Sequence, residues 1–529
     1  MILFILSLIP YFLYLSLRTR KALHMLQQNL YDDNQRYFKW VLNNIKKVFG
    51  YNDLIPLILI IWIMLANNSI LIVIFPIFYF IAFILNYKII RKEQYKKPLV
   101  WTARVKRLVI TTILLYFLPL YSIFYFLNIN LINSYYLYLI VLAYLQFLIV
   151  LVAVKVNIPV EKGVYYYYKR KAINKLNSIP NLKVIGITGS YGKTSSKNIL
   201  SEILNIKYNA LPTPKNLNTP YGLMITINNH MDKFDEIFIA EMGAYKRGEI
   251  KDLCDFVKPK YGILTIIGTA HLELFGSQEN IQKGKFELIE SLPDDGIGIL
   301  NGDDPFQLNY KLDNKCRIIW IGIDNKDADV KADNIKMSHK GTTFDVIFKG
   351  NSKKYPFETK LLGYANIYNV IAAIALGKEF GISKEQLQYV VKTVKPVENR
   401  LELKSFGNIH MINDAYSSNQ VGSKMALDVL DMMPGKKIII TPGMTELGSK
   451  QYQYNKEFGQ YIAKVCDEVI LVGKEQTKPI QDGLKEEKYK EENIHIVNDV
   501  KLGFEIIHKL KEKDTYVLIE NDLPDIFNE

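Results

Sequence analysis

Val184-Ile-Gly-Ile-Thr-Gly-Ser-Tyr-Gly-Lys-Thr-Ser-Ser196 decides the fold of the larger part of this chain. Val184–Thr188 reads as an apolar strand. It enters a turn containing Gly189 and Gly192, and a helix starts at about Thr194. Such a turn aims backbone N–H groups and a helix N-terminus at one place, which suits a phosphate. Lys193 would reach the β/γ-phosphates and the Thr194 hydroxyl would ligate Mg²⁺, with Ser190 and Ser195 alongside. Position 187, where the general phosphate-loop pattern has its first glycine, is Ile187. An ordinary Gly-rich strand–helix turn is the competing reading, and neither names a reaction.

Downstream, short β-rich runs alternate with helical stretches, the mark of parallel α/β architecture. Strands are expected at Val184–Thr188, Ile237–Ala240, Tyr261–Ile267 and Ile297–Leu300. Antiparallel strands should fill 316–361, before an alanine-rich helix near 366–380. Pro396 marks a joint. A second series, Ile409–Asn413, Lys437–Thr441, Glu468–Val472, His495–Val497 and Tyr516–Ile519, predicts a smaller doubly wound, Rossmann-like domain.

Upstream the chain changes character. Of 529 residues, 66 are Lys or Arg and 53 Asp or Glu, a net charge of +13. Residues 1–160 hold 16 basic and 4 acidic side chains, net +12, and the remaining 369 are almost neutral. A basic nucleic-acid-binding protein is thereby excluded, because the charge sits in the most apolar third. Cys254, Cys316 and Cys466 lie far apart, with neither a disulfide framework nor a zinc spacing.

Apolar stretches occur at 1–17, 54–90, 108–128 and 135–154. As one helix Leu54–Ile90 would run about 55 Å, against a hydrocarbon core of about 30 Å. The break Asn67-Asn68-Ser69 divides it in two, the first piece being short for a span. Basic residues crowd 18–53 and 88–107, while 67–69 and 129–134 carry no charge. Five spans with the N-terminus outside put both basic loops, and everything after 156, in the cytoplasm. No basic residue precedes the first apolar run and Arg-Thr-Arg follows it, so an uncleaved span is expected rather than a signal peptide. Tyr165–Tyr168 with Lys169, Arg170 and Lys171 reads either as an interfacial segment on anionic lipid or as a solvated connector.

The variant T-G-S-x-G-K-T-S resembles the Mur ligase family of ATP-dependent amide-forming ligases. Asn216–Gly222, Ala240-Glu-Met-Gly-Ala244, Ala270–Ser277, Gly284-Lys-Phe-Glu287, Gly363–Asn369, Asn399-Arg-Leu-Glu402, Asn413-Asp-Ala-Tyr416 and Met444–Gly448 follow in the family's order. They are closest to the branch that adds D-alanyl-D-alanine to a UDP-linked muramoyl-tripeptide. Hydropathy gives an α-helical membrane domain (1–156) and an interfacial linker (157–182), and the resemblance implies a central ATP-binding domain (183–397) and a C-terminal domain (398–529). It also implies roles. Gly189, Ser190, Gly192, Lys193, Thr194 and Ser195 would hold ATP phosphates. Thr194, Glu241, His271 and Lys285 would hold two Mg²⁺ ions, with Lys285 carbamylated. Asn369 would meet adenine, Asp414 the ribose, and Arg400 the phosphates from the domain joint. Lys193, His271, Lys285 and Arg400 would serve catalysis.

From the residues alone, Glu241 could instead be a salt-bridged strand end, His271 a structural histidine and Lys285 solvated surface. Asn366 and Asn369 could equally cap their helix. His410 and His495 read as strand residues without a chemical role, and Asp303-Asp304 as a turn.

The family's UDP-sugar domain has no counterpart here, since only about 25 residues separate the last expected span from Val184. A lipid-linked or membrane-proximal cell-wall precursor is therefore the favoured acceptor, with a UDP-linked one as the alternative. Leu518–Pro524 stands where the D-alanyl-D-alanine ligase has a Lys-Gly-Ser type segment, so the amine, an amino acid or dipeptide, is open. A poly-γ-glutamate or capsule-type ligase and a nucleotide-binding membrane scaffold without ligase activity are the other readings. The sequence gives no oligomeric state.

Overall fold

Lys183–Thr188 forms strand β1 inside a nine-stranded sheet of the computed structural model, buried along almost its whole length. The structure describes residues 2–521 except 30, 32–35, 66–67, 93–97, 127–131, 352, 416–418 and 446. Residues up to 166 and residues from 167 onward form two separate compact units.

In the second unit the large sheet contains, after β1, β2 (Ala210–Pro212), β3 (Ile237–Glu241), β4 (Tyr261–Leu264), β5 (Ile297–Asn301) and β6 (Arg317–Gly322). It continues with β7 (Val330–Ser338), β8 (Gly341–Phe348) and β9 (Tyr355–Thr359). Their order is β2-β3-β1-β4-β5-β6-β7-β8-β9, parallel from β2 to β7 and antiparallel from β7 to β9. The antiparallel segment expected at 316–361 thus starts one strand late, because β6 pairs in parallel with β5. Helices Lys193–Leu204 and Tyr364–Glu379 cover one face with Ile199, Leu200, Ile203, Ile367, Val370 and Ile371. Their axes come close because small residues face the contact. A Cβ on Gly377 would lie 2.9 Å from the Ile203 side chain.

The second sheet comprises β10 (Glu402–Phe406), β11 (Ile409–Asp414), β12 (Lys436–Thr441), β13 (Glu468–Val472), β14 (Ile494–Val497) and β15 (Thr515–Glu520). Its order is β10-β11-β15-β12-β13-β14, with only β10–β11 antiparallel. Both sheets carry their loops at the carboxyl ends of parallel strands, where open α/β folds bind ligands.

The first unit is helical: Ile2–Ser7, Ile9–Gln28, the 3₁₀ segment Tyr51–Leu57, Ile58–Leu65, Asn68–Lys92, Ala103–Phe126, Ile132–Tyr144 and, up to residue 166, the longer helix Gln146–Asn177. Among the described residues one helix, Ile70–Arg91, is by itself long and apolar enough to cross a membrane. Tyr135–Tyr144 and Gln146–Asn177 meet that condition only as a pair, bent by 77°. The rest of the five-span expectation divides differently. The first apolar stretch continues to Gln28 and takes in Arg18, Arg20 and Lys21. Residues 54–65 of the 54–67 stretch are a 3₁₀ turn followed by a short helix. Residues 157–177, expected as a linker, are helical. Of the break expected at 129–134, residues 129–131 lie outside the described residues and 132–134 begin helix Ile132–Tyr144.

Of the basic residues expected in loops, Arg18 is buried. Its Nη1 lies 3.0 Å from Asp53 Oδ2. Asp53 also accepts from the Tyr14 hydroxyl at 2.6 Å, Asn86 Nδ2 at 3.2 Å and the Gly50 N–H at 2.9 Å. The guanidinium lies over the rings of Phe49, Phe147, Tyr14 and Tyr144. Charge counting along the sequence read Arg18 as a topology signal; a carboxylate from a distant segment turns it into a core residue.

Candidate functional site

The turn after β1 can exist only with glycine at two positions. Gly189 has φ 151°, and a Cβ there would fall 1.9 Å from Thr265 Oγ1. Gly192 has φ 84°, and its Cβ would press on the Asn369 carboxamide at 3.1 Å. The loop is pinned to β4 by the Ser190 N–H donating to the Ile266 carbonyl (2.7 Å) and by Thr265 Oγ1 donating to the Tyr191 carbonyl (2.6 Å). Helix Lys193–Leu204 starts with no side-chain cap, leaving its first N–H groups directed at the loop. Lys193 Nζ folds back on the Gly189 carbonyl at 2.7 Å. Burial pushes its pKa down to about 8, opposed by Glu241 and reinforced by Arg400.

Glu241 ends β3 beside this loop and is 1% exposed. A carboxylate that deep must be answered. Its Oε1 accepts from Thr194 Oγ1 (3.2 Å) and Asn218 Nδ2 (3.0 Å), and its Oε2 pairs with Lys197 Nζ at 2.9 Å. Glu241 is thus the salt-bridged strand end of the structural reading, and it also accepts from Thr194, the other residue expected at Mg²⁺. A hydroxyl and one carboxylate suit Mg²⁺, which takes few protein ligands and the rest from phosphates and water. Among the described residues no three His, Cys, Asp or Glu side chains converge on one point, so the arrangement does not fit an all-protein metal cage.

One small cavity is shared by Gly189, Ser190, Lys193, Tyr245, His271 and Lys285. His271 follows β4 in the left-handed conformation (φ 58°), its ring edge-on to Tyr245 with centroids 4.6 Å apart. Lys285 is buried, not solvated. Its Nζ is 3.5 Å from the Ala244 carbonyl and over the Phe275 ring, and burial, then Lys193, pushes its pKa down to about 7. An amine so placed is substantially neutral near pH 7 and nucleophilic toward carbon dioxide.

The remaining expected residues, Asn369, Ser195, Arg400 and Asp414, do not line this cavity. Asn369 sits against Gly192, whereas Asn366 donates to the Leu362 carbonyl and serves its own helix. Ser195 is buried in the first turn of its helix. Arg400 lies in the joint between Asn399 (φ 60°) and Leu401 (φ 47°), a left-handed backbone costing about 1–2 kcal/mol at a residue such as leucine. Its charge acts on both Lys193 and Asp414. Asp414 ends β11, 1% exposed, accepting from the Leu401 N–H and the Tyr191 hydroxyl. Burial raises its pKa to about 6, with Arg400 opposing.

Lys197, Asn218, Tyr245 and Tyr191 were not singled out from the sequence. Lys197 had a signal, being one helical turn after Lys193 on the same face. The residues read as structural carry local contacts. His495 pairs with Glu468 and His410 stacks on Tyr516. Asp304 caps a helix turn, and the carboxylate of Asp303 gathers N–H groups from 323–325. The three cysteines are buried and unpaired with one another.

Residues 187–377 match the Mur ligase middle domain and residues 399–519 the Mur ligase glutamate ligase domain. The UDP-N-acetylmuramoyl-tripeptide–D-alanyl-D-alanine ligase of Bacillus subtilis (strain 168) is 33% identical over 296 residues, which is 55% of this chain and 63% of that protein. Its Escherichia coli (strain K12) counterpart is 31% identical over 296 residues, 55% and 65% of the two chains. This chain thus spans slightly less than two thirds of the curated relatives it matches. MurF from Acinetobacter baumannii superposes with a TM-score of 0.61 at 22% identity, covering 68% of this chain and 77% of that one. MurF ligase from Thermotoga maritima, solved with ADP, gives 0.60 at 24%, covering 67% and 80%. At these identities the superpositions establish the fold.

Proposed function

We propose a function for this chain as a member of the Mur ligase family, to which residues 187–377 and 399–519 belong. It is an ATP-dependent amide ligase that joins an amino acid or dipeptide to a carboxylate of a peptidoglycan precursor. The observation that carries this reading is the shared cavity of the phosphate loop, His271 and Lys285, with the Thr194–Glu241 pair beside it. The acceptor carboxylate attacks the γ-phosphorus of ATP, forming an acyl phosphate as ADP leaves. The amine nitrogen then attacks the acyl carbon, phosphate departs, and the nitrogen gives up a proton as the amide forms. Lys193 and Arg400 offset charge on the transferring group, where phosphoryl transfer gains most. Thr194 and Glu241 would hold one Mg²⁺, and His271 with a carbamylated Lys285 a second; bound there, the ions neutralise phosphate oxygens. Asn369 would contact adenine and Asp414 the ribose hydroxyls.

Residues 1–156 anchor the enzyme in the cell membrane as a multi-pass domain, N-terminus outside and catalytic domains in the cytoplasm. Support comes from the outward-facing Ile70, Val73, Ile77, Phe80 and Ile81, a stripe at helical spacing, which water would not favour. The acceptor is then presented on the membrane side, lipid-linked rather than UDP-linked.

The test is phosphate release by the full chain in detergent micelles, with lipid-linked or UDP-linked muropeptides and panels of amino acids and dipeptides. Stimulation by lipid-linked acceptor plus an amine, with amide product, is expected. Stimulation by UDP-linked acceptors alone would sink the lipid-side assignment. ATP hydrolysis indifferent to every acceptor would sink the ligase and favour the scaffold.

A further inference from the structure

Tyr191 stands at the variable position of the phosphate loop, between Ser190 and Gly192, and its side chain leaves the loop altogether. The phenol runs into the C-terminal domain and donates to Asp414 Oδ2 at 3.1 Å. Its ring packs with Ile266 and Ala365 of its own domain and with Val421 and Met425 on helix Gln420–Asp431. The fit is close. A Cβ on Gly422 of that helix would stand 2.7 Å from the Tyr191 ring. Its carbonyl is meanwhile held by Thr265, so the loop conformation and the domain contact are one structure.

The phenol also covers the carboxylate. Asp414 is 1% exposed and Tyr191 7%. One oxygen of Asp414 is occupied by the Leu401 N–H, the other by the Tyr191 hydroxyl. A ribose hydroxyl approaching this acid therefore meets an internal hydroxyl of the same hydrogen-bonding type already in place. Resting on the ATP reading above, we propose that Tyr191 is a specificity-determining residue: its hydroxyl occupies Asp414 in the nucleotide-free chain, and a nucleotide ribose must displace it. Binding of a ribose-bearing nucleotide then exchanges a contact between the domains for a contact to ligand. A nucleotide without ribose hydroxyls makes no such exchange and leaves the Tyr191–Asp414 bond intact.

The experiment compares ADP with 2′,3′-dideoxy-ADP by calorimetric titration of the full chain in detergent micelles, wild type against Tyr191→Phe and Gly422→Ala. Tyr191→Phe keeps the ring and removes the competing hydroxyl. ADP should bind more tightly, by about tenfold or more, as expected for one hydrogen bond to a charged group. Dideoxy-ADP should be unchanged, which a general loosening of the fold would not reproduce. Gly422→Ala favours its helix intrinsically while pushing the ring away, so it should shift ADP in the same direction without touching either bonding group. An unchanged or weakened ADP affinity in Tyr191→Phe, or equal shifts for both nucleotides, overturns the inference while leaving ATP binding in place. A wild-type chain that binds neither nucleotide overturns the ATP reading itself, and this inference with it.

Discussion

Among the described residues, each unit holds an ion pair with both side chains almost fully buried, and the surroundings of the two pairs differ. Lys197–Glu241 lies at a strand end of the α/β unit, with Thr194 and Asn218 donating to the carboxylate beside a cavity. Arg18–Asp53 lies among helices, closed in by the rings of Tyr14, Phe49, Tyr144 and Phe147. Its hydrogen bonds tie together Ile9–Gln28, the 3₁₀ segment and Asn68–Lys92. The surfaces invert as well. Large buried side chains of the helical unit include Tyr11, Tyr14, Tyr79 and Tyr136, while isoleucine, valine and phenylalanine face out. In the α/β unit the sheet core is mostly aliphatic. The comparison separates a polar centre placed where a ligand can arrive from one that knots segments in a weakly polar setting.

The sharpest way to break the comparison is to remove one charge from each pair. Both Glu241→Gln and Asp53→Asn should cost about 3–5 kcal/mol of stability, because each leaves a buried cation, Lys197 or Arg18, uncompensated. Glu241→Gln should in addition cut ligation by about 10³-fold per folded molecule, as loss of one preorganised electrostatic group does, whereas Asp53→Asn should leave it nearly unchanged. Thermal unfolding and phosphate release on the same samples check both. Equal ligation losses per folded molecule in the two variants would erase the distinction.

A smaller effect tests the inverted surface. Ile77, half exposed at 50%, should tolerate lysine poorly, at about 3 kcal/mol against insertion if it sits near a bilayer centre. Ile225, similarly exposed in the α/β unit, should accept lysine within about 0.5 kcal/mol. Alkali extraction of membranes reads the first and thermal unfolding the second. Tolerance at both sites would remove the argument for a lipid-facing helix.

The smallest effect concerns pH. Burial raises Asp414 to about 6, so falling pH protonates it there and weakens it as an acceptor of ribose hydroxyls. ADP affinity should drop about threefold between pH 7 and pH 5.5, and Asp414→Asn should flatten that profile. A profile unchanged by the substitution would dissociate the acid from the ribose.

What the sequence disclosed follows the same division. Val184–Thr188 was legible because a strand buried on both faces needs no partner to be recognised. Gly-Lys-Thr was legible because its chemistry is local. Glu402–Phe406 was missed, being an edge strand whose last three residues are exposed, with no apolar face to read. Lys197 looked like any helical lysine, and Arg18 like any basic residue flanking an apolar run. Their roles are set by Glu241 and Asp53, which only folding brings near. Lys285 was assigned by resemblance against a spacing that suggested solvent, and its burial explains why spacing misled.

The close packing of Gly377 on Ile203 has a thermodynamic side. It joins helix Tyr364–Glu379, which carries Asn369, to helix Lys193–Leu204, which carries the phosphate-loop lysine, so the two share one packed layer. Asp414 belongs to a different sheet, reached through the left-handed residues of the joint. Under the proposed reading, the adenine and phosphate ends of a nucleotide enter a mould set during folding. The entropic cost of ordering on binding then falls almost wholly on the ribose side.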